Sequence, residues 1–357
     1  MKILIMLEMG MDPEQSLLIA NAKKTFPDAE VAVGFWGEEG QDLAAAIRYV
    51  EVHGSKDAKI PEAFYEHKDA EILVGTFCPF SKEGLSVFDN LRVLGVERAG
   101  MENVDIEGIE DLGIMVVNAT GRNADSVSDF AIAMMMAENR KIALSYHRIM
   151  SGGFREPFSN ADTMMDMRGK TVGLFGFGFI GKLVAEKLGG FHMNILVYDP
   201  YIKEDAVKGT SVKLVDKETL FRESDFLSVH ARYTEDTYYV IGEPEISLMK
   251  KNAVFINTAR AGLVDYEALT KALETRKIAG AALDVFENEP LESDSPLLKL
   301  DNVTLTAHIA GATKDAQMNS PRLIFERVWK VIAGEETPIV TPSVLTNEKF
   351  QEWRKNI

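Results

Sequence analysis

The sequence predicts an α/β fold of two doubly wound parallel-sheet domains. Three observations carry that prediction. Short apolar runs alternate with helical segments in two separate series. Gly176-Phe177-Gly178-Phe179-Ile180-Gly181 stands between a strand and a helix of the second series. The last long helical segment follows the final strand of that series, in position to complete the first domain.

The first series has strands at 3–7, 31–35, 72–75, 92–96 and 114–118, separated by helical or turn segments. A long helical pattern follows over 125–150. Ser126-Val127-Ser128-Asp129 gives it capping-box spacing with Asp in place of Glu. Its Ala- and Met-rich stripe, Ala131 to Ala137, reads as core or as a subunit contact. The second series has strands at 172–175, 195–198, 226–230, 254–257, 280–285 and 303–307. A helix is predicted from Pro321 to Ala333, and the charge run from Glu348 to Lys355 reads as a solvated helix. The expected organisation is a domain made of 1–118 and 313–357, into which a Rossmann domain of 119–312 is inserted. Ligands of such sheets bind outside the carboxyl ends of the strands, so the cleft between the domains is the expected site.

The glycine run predicts a dinucleotide cofactor. Gly176, Gly178 and Gly181 let backbone approach a pyrophosphate, with Phe179 and Ile180 among the cofactor contacts, and the helix that follows, read from Lys182 to Leu188, offers N–H groups and a positive dipole end at its N-terminus. Asp199, ending the next strand about 20 residues on, suits both hydroxyls of the adenosine ribose and therefore NAD over NADP.

Bulk properties narrow the function. A net charge of −16 argues against a nucleic-acid-binding surface, which would need a basic patch. Cys78 is the only cysteine, which excludes an intrachain disulfide and fits a cytoplasmic protein. No apolar stretch reaches the length of a membrane span, and Met1 to Leu7 reads as a first strand rather than a signal peptide. His53, His67, His147 and His192 lack metal-ligand spacing, so no metal is expected.

Three strand ends of the second series carry reactive side chains: Arg260 after Thr258-Ala259, Asp284 with Glu289 in the following loop, and His308. Reduction of a carbonyl needs a cation to bind the substrate carboxylate and polarise the carbonyl. An arginine fork provides it. The reaction also needs an acid–base group titrating near neutrality, and a carboxylate partner favours the imidazolium form of a histidine.

The stretches 94–105, 121–129, 176–199, 257–265, 280–290 and 306–313 together resemble the D-isomer-specific 2-hydroxyacid dehydrogenase family, phosphoglycerate dehydrogenase-like but without the regulatory C-terminal domain of some members. The resemblance implies a flavodoxin-like substrate domain around the NAD-binding Rossmann domain. It implies His308 as acid–base, Glu289 as its carboxylate partner and Arg260 as the substrate-binding cation. The substrate carboxylate would lie on the backbone N–H groups of Ala99, Gly100 and Met101. Asp284 would lie near the nicotinamide carboxamide. His230, Ala231, Arg232, Thr258, Ala259, His308 and Gly311 would complete the cofactor contacts. A homodimer is expected, formed by the 131–137 stripe and the arm after it.

Two departures stand out. Members often carry His-x-Pro where this chain has His230-Ala231-Arg232, and Arg232 reads equally as an adenosine contact or as a solvated side chain. Members acting on 3-phosphoglycerate carry basic residues where this chain has Thr76-Phe77-Cys78-Pro79-Phe80. That disfavours a phosphorylated substrate unless Arg98 or Arg122 substitutes. The expected activity is interconversion of a 2-oxo acid and a D-2-hydroxy acid with NAD. A formate-dehydrogenase-like activity is disfavoured because Glu289 is not Gln. Phosphite oxidation and an NAD-sensing, corepressor-like role remain as alternatives.

Overall fold

The structure is a computed structural model and describes residues 1–38, 40–154, 158 and 160–357. It divides into two compact units, one of residues 1–122 with 314–357 and one of residues 123–313.

In the first unit the strands are β1 (Lys2–Glu8), β2 (Glu30–Trp36), β3 (Ile72–Gly75), β4 (Val93–Val96) and β5 (Met115–Asn118). All pair in parallel in the order β2-β1-β3-β4-β5, the flavodoxin-like order. Strands β3 to β5 are buried at every residue, as parallel strands covered on both faces must be. Five helices of the N-terminal segment lie between them in sequence: α1 (Leu17–Thr25), α2 (Leu43–His53), α3 (Glu62–Glu66), α4 (Lys82–Leu85) and α5 (Ile106–Asp111).

The second unit opens with α6 (Ala124–Asn139) and α7 (Ile142–Met150). It continues through β6 (Thr171–Phe175), α8 (Phe179–Leu188), β7 (Asn194–Tyr198), β8 (Val212–Leu214), α9 (Lys217–Glu223) and β9 (Phe226–Val229). It ends with α10 (Glu243–Leu248), β10 (Val254–Asn257), α11 (Tyr266–Glu274), β11 (Gly280–Leu283) and β12 (Val303–Leu305). The seven strands are parallel in the order β12-β11-β10-β9-β6-β7-β8, reversing direction between β6 and β9 in the doubly wound manner. Helices α6 and α8 cover one face, and α9, α10 and α11 the other.

The predicted 125–150 helix is two helices. Lys141 takes a left-handed φ of 55° and ends α6. Its ammonium pairs with Glu138, both side chains almost fully buried, and Thr304 Oγ1 donates to the second Glu138 oxygen at 2.8 Å. Burial raises the Glu138 carboxyl above its ordinary range, against the pull of Lys141. A buried pair tied to β12 breaks the helix more firmly than a periodic pattern continues it. Nor does Ser126–Asp129 form a capping box, because α6 begins earlier, at Ala124 behind Asn123. Ser126 instead bonds Thr313, and Asp129 bonds Lys187 at 2.7 Å. The 131–137 stripe is core: Ala131, Ile132, Met134 and Met135 pack under β10 and β11.

After the second unit the chain returns to the first through α12 (Lys314–Ala333), whose Ile324, Phe325, Val328 and Val331 pack against the sheet core. The helix starts a full two turns before the predicted Pro321. Proline removes one intrahelical donor, yet here it sits inside the helix on a buried flank, where packing offsets the loss. The final helix α13 (Glu348–Lys355) is not wholly solvated. Phe350 is buried, and Trp353 Nε1 donates to Glu71 at 3.2 Å. No helix among the described residues is long and apolar enough to cross a membrane.

Candidate active site

The carboxyl end of β6 shows what each glycine does. Gly176 has φ of +100°, and a Cβ there would lie 2.5 Å from the Ala231 amide nitrogen, so the turn and the close approach both demand glycine. A Cβ on Gly181 would meet the Gly176 carbonyl at 2.4 Å, which lets α8 pack against the turn. Around Gly178 there is no atom within 4 Å of an added Cβ. The amides of Gly178, Phe179 and Ile180 bond no acceptor among the described residues, and no side chain caps α8. This open face at a helix start is a ready anion site.

Asp199 closes the loop. Its Oδ2 accepts from Phe177 N at 2.8 Å and its Oδ1 from Tyr201 N at 2.9 Å, leaving each oxygen a second lone pair. Beside it lies a hollow of about 510 Å³ lined by Tyr198, Asp199, Ile202, Glu204, Lys213 and Asp216. Lys213 is its cation, and the neighbouring Lys203 is not part of the wall. Arg232 is exposed.

The next strand ends hold buried polar atoms without partners. His230 Nε2 and Thr258 Oγ1 are sealed from solvent and bond nothing among the described residues. Burial alone pushes the His230 imidazole down to about 4. Such atoms cost about 1–3 kcal/mol each when left unsatisfied, which suits a ligand that satisfies them. Open glycine amides, a carboxylate with spare lone pairs and these orphaned atoms together fit a dinucleotide lying along one sheet edge.

Strands β9 to β12 are neighbours in the sheet, so the loops after them share that edge. Asn257, fully buried, fixes the loop after β10: its Nδ2 donates to Arg260 O at 3.1 Å and its Oδ1 accepts from Ala259 N at 3.0 Å. Arg260 is exposed, donates to the Ala259 carbonyl at 2.8 Å and forms no ion pair among the described residues. After β12, His308 sits at a left-handed φ of 53°. Its Nδ1 lies 2.8 Å from Glu289 Oε2, while Glu289 Oε1 accepts from Phe286 N at 3.1 Å. The two side chains are 46% and 37% exposed, so the pair faces solvent from a held position.

Asp284 takes a place that its sequence position alone did not reveal. It has no exposed surface, and it accepts from Thr306 Oγ1 at 2.6 Å, Ile309 N at 3.0 Å and Ala310 N at 2.9 Å. Three bonds from residues on both sides of His308 make Asp284 the clamp of that turn. Gly311 lies nearby in the chain, where a Cβ would come 2.5 Å from Asn123 Nδ2.

In the first unit, Ala99, Gly100 and Met101 follow β4. Their amides bond no acceptor among the described residues, and Asn118 Nδ2 holds the Ala99 carbonyl at 2.9 Å. An added Cβ on Gly100 would lie 2.4 Å from Glu102 Oε2, so that carboxylate folds over the loop. Arg98 pairs with Glu102 at 3.2 Å and lies 4.6 Å over the Phe77 ring. Cys78 is buried, and burial raises its thiol well above the usual range, so it is not a nucleophile.

Comparison with known proteins agrees with this architecture. Residues 132–310 match the family described as D-isomer specific 2-hydroxyacid dehydrogenase, NAD binding domain. The chain is similar to D-3-phosphoglycerate dehydrogenase of Archaeoglobus fulgidus, with 36% identity over 86% of this chain and 56% of that protein. It is also similar to glyoxylate reductase of Thermococcus litoralis, with 39% identity over 74% of this chain and 82% of that one. The chain thus spans little more than half the length of the D-3-phosphoglycerate dehydrogenases it matches. The NAD-complexed D-isomer specific 2-hydroxyacid dehydrogenase of Lactobacillus delbrueckii ssp. bulgaricus shares the fold. Its TM-score is 0.72 at 22% identity, over 95% of this chain and 100% of that one.

Proposed function

The chain belongs to the D-isomer specific 2-hydroxyacid dehydrogenase family, and from that premise we propose that it interconverts a 2-oxo acid and its D-2-hydroxy acid with NAD as cofactor. The observation that carries the reading is the 2.8 Å contact between His308 Nδ1 and Glu289 Oε2 on the sheet edge that also bears Arg260. When bound, the nicotinamide supplies or accepts the hydride at the substrate C2.

The protein's own part is proton handling and charge placement. Glu289 Oε2 accepts the hydrogen bond from Nδ1–H, so Nε2 is the atom that gives a proton to the C2 oxygen or takes it back. Asp284 holds the Thr306 side chain before His308 and the Ile309 and Ala310 amides after it, and so keeps Nε2 aimed. Arg260, which forms no ion pair among the described residues, takes the substrate carboxylate and stabilises negative charge on the C2 oxygen. By the family resemblance, the amides of residues 99–101 are a carboxylate-binding group of the first unit. The amides of Gly178, Phe179 and Ile180 would hold the pyrophosphate, with Asp199 on the ribose, while His230 and Thr258 gain partners at the nicotinamide end.

NAD is favoured over NADP because Asp199, Glu204 and Asp216 outnumber Lys213 around the adenosine hollow. A 2′-phosphate there would meet like charge. Homodimerisation is part of the same reading, but through α7 rather than the 131–137 stripe. No α7 residue is buried, and Ile142, Tyr146, Ile149 and Met150 make an apolar face on it at i, i+4, i+7 and i+8. A second copy of the chain is the occupant this reading assigns to that face. A cytoplasmic location is supported by the single, unbridged, buried thiol.

The test is a panel of 2-oxo acids offered with NADH. Consumption of NADH with at least one, yielding only the D-hydroxy acid, is the expected result. No turnover with any of them would defeat the reading.

A further inference from the structure

Four of the five strands of the first unit end on, or are followed by, a polar residue: Glu8, Thr76, Glu97 and Asn118. Because the strands are parallel, these residues share one sheet edge with the 99–101 loop. Two of them are carboxylates, which is unexpected beside a loop assigned to an anion. Glu97 lies two residues before Ala99 and keeps part of its surface exposed. Thr76 Oγ1 donates to Glu97 Oε2 at 2.7 Å. Glu8 is 7% exposed, and its Oε1 has no hydrogen-bond partner among the described residues.

The arginines that could have received a phosphate here are already engaged. Arg98 is bound to Glu102 and stacked on Phe77. Arg122 donates to Ser320 Oγ at 3.1 Å and interacts with the charge of Glu97.

We propose that Glu97, backed by Glu8, reads the part of the substrate beyond C2, accepting a hydroxyl there and rejecting a phosphate. This inference rests on the 2-oxo acid reading given above, with the substrate carboxylate on the 99–101 amides. A hydroxyl both donates and accepts, and so does a carboxyl near its midpoint of protonation. Burial first, and then the charge of Glu8, push Glu97 up to about 7. The free Glu8 oxygen is a further acceptor. A phosphate would put two or more negative charges beside two acids whose carboxyls burial already pushes up, and whose arginine neighbour serves Glu97 itself. A cationic side chain is the poorer guest, because Arg122 already fills that role.

The experiment compares kcat/KM for pyruvate, hydroxypyruvate and 3-phosphohydroxypyruvate in wild type, Glu97→Gln and Glu97→Leu, each with NADH. In wild type, hydroxypyruvate should exceed pyruvate by about tenfold to a hundredfold, the worth of a hydrogen bond to a charged group. The phosphorylated acid should be poorer still. Glu97→Leu should bring the hydroxypyruvate-to-pyruvate ratio near one, chiefly through KM. Glu97→Gln, which still donates and accepts, should keep most of the hydroxyl preference while improving the phosphorylated acid. NADH affinity measured on the same preparations reports whether each variant is folded, and the wild-type ratios stand without any variant. Preference for the phosphorylated acid in wild type, or an unchanged ratio in folded Glu97→Leu, would overturn the inference alone. No turnover of any oxo acid by a wild-type protein that binds NADH would overturn the dehydrogenase reading and this inference with it.

Discussion

Replacing Glu289 by Gln probes the proposed acid–base pair at the cost of one charge and almost no volume. Glu289 does two jobs at once: Oε2 meets His308 Nδ1 at 2.8 Å and Oε1 accepts from Phe286 N at 3.1 Å. A carboxylate serves both donors. An amide serves only one, because its nitrogen has no lone pair to offer. If the amide oxygen stays on Phe286 N, the amide NH₂ faces Nδ1 and selects the tautomer with its proton on Nε2. That form can donate, but it is a far weaker acid than imidazolium. If the amide turns round, it sets two donors against each other at Phe286, at about 1–3 kcal/mol.

The lost charge adds to this. Two unit charges about 4 Å apart interact by roughly 4 kcal/mol at an effective dielectric of about 20. With the side chains 46% and 37% exposed, solvent screening leaves about 1 kcal/mol or less of it. Together the two effects predict a fall in kcat for oxo-acid reduction of roughly 10- to 1,000-fold. The assay is steady-state NADH oxidation with a saturating 2-oxo acid, paired with NADH titration by fluorescence. Dinucleotide affinity should stay near wild type, because the glycine loop after β6 is untouched. A kcat within a factor of a few of wild type would refute the argument that Glu289 sets the state of His308.

Two other predictions concern cofactor choice and assembly. Asp199→Ala removes the carboxylate that would face a 2′-phosphate, so kcat/KM with NADPH should rise relative to NADH by about tenfold or more. An unchanged ratio would show that Asp199 does not set the preference. Light scattering at micromolar concentration should give a dimer mass for wild type and a monomer mass for Ile149→Glu, which places a charge on the apolar α7 face. A wild-type monomer, or an undisturbed dimer in the variant, would remove α7 as the interface.

Much of the fold was legible because its signals are local. Apolar runs of four to seven residues mark nearly all the strands, and the glycine loop is defined by spacing within one strand–turn–helix unit. The sites that escaped the sequence depend on partners distant in the chain. Strand β8, Val212-Lys213-Leu214, is too short and too mixed to stand out, and exists by pairing with β7 at the sheet edge. The break at Lys141 needs Thr304, 163 positions later, to complete the buried pair with Glu138. Pro321 reads as a helix start because proline suits first turns, whereas tertiary packing carries α12 through it.

The candidate site divides in the same way. Arg260, Glu289 and His308 were visible as reactive types at strand ends, and the structure brings Glu289 and His308, 19 residues apart, into hydrogen-bond contact. Asp284 was visible as a residue, but its three bonds to the His308 turn were not, since they arise from packing between β11 and the loop after β12. Asn257 could have been noticed, because Asn at a strand end commonly bonds the backbone of the turn that follows. Glu97 gave no signal. A single acid after an apolar strand is ordinary until Glu8 and Thr76 are seen beside it.

The central claim is that His308 moves the proton in a dehydrogenase reaction, and His308→Gln tests it most directly. Glutamine approximates the size of the imidazole but does not titrate. Steady-state reduction of the best 2-oxo acid should fall by roughly 100- to 10,000-fold in kcat, the usual worth of a positioned general acid. NADH should bind the variant about as tightly as wild type, which separates lost chemistry from lost structure. Reduction at the wild-type rate by a folded, NADH-binding His308→Gln protein would contradict the account.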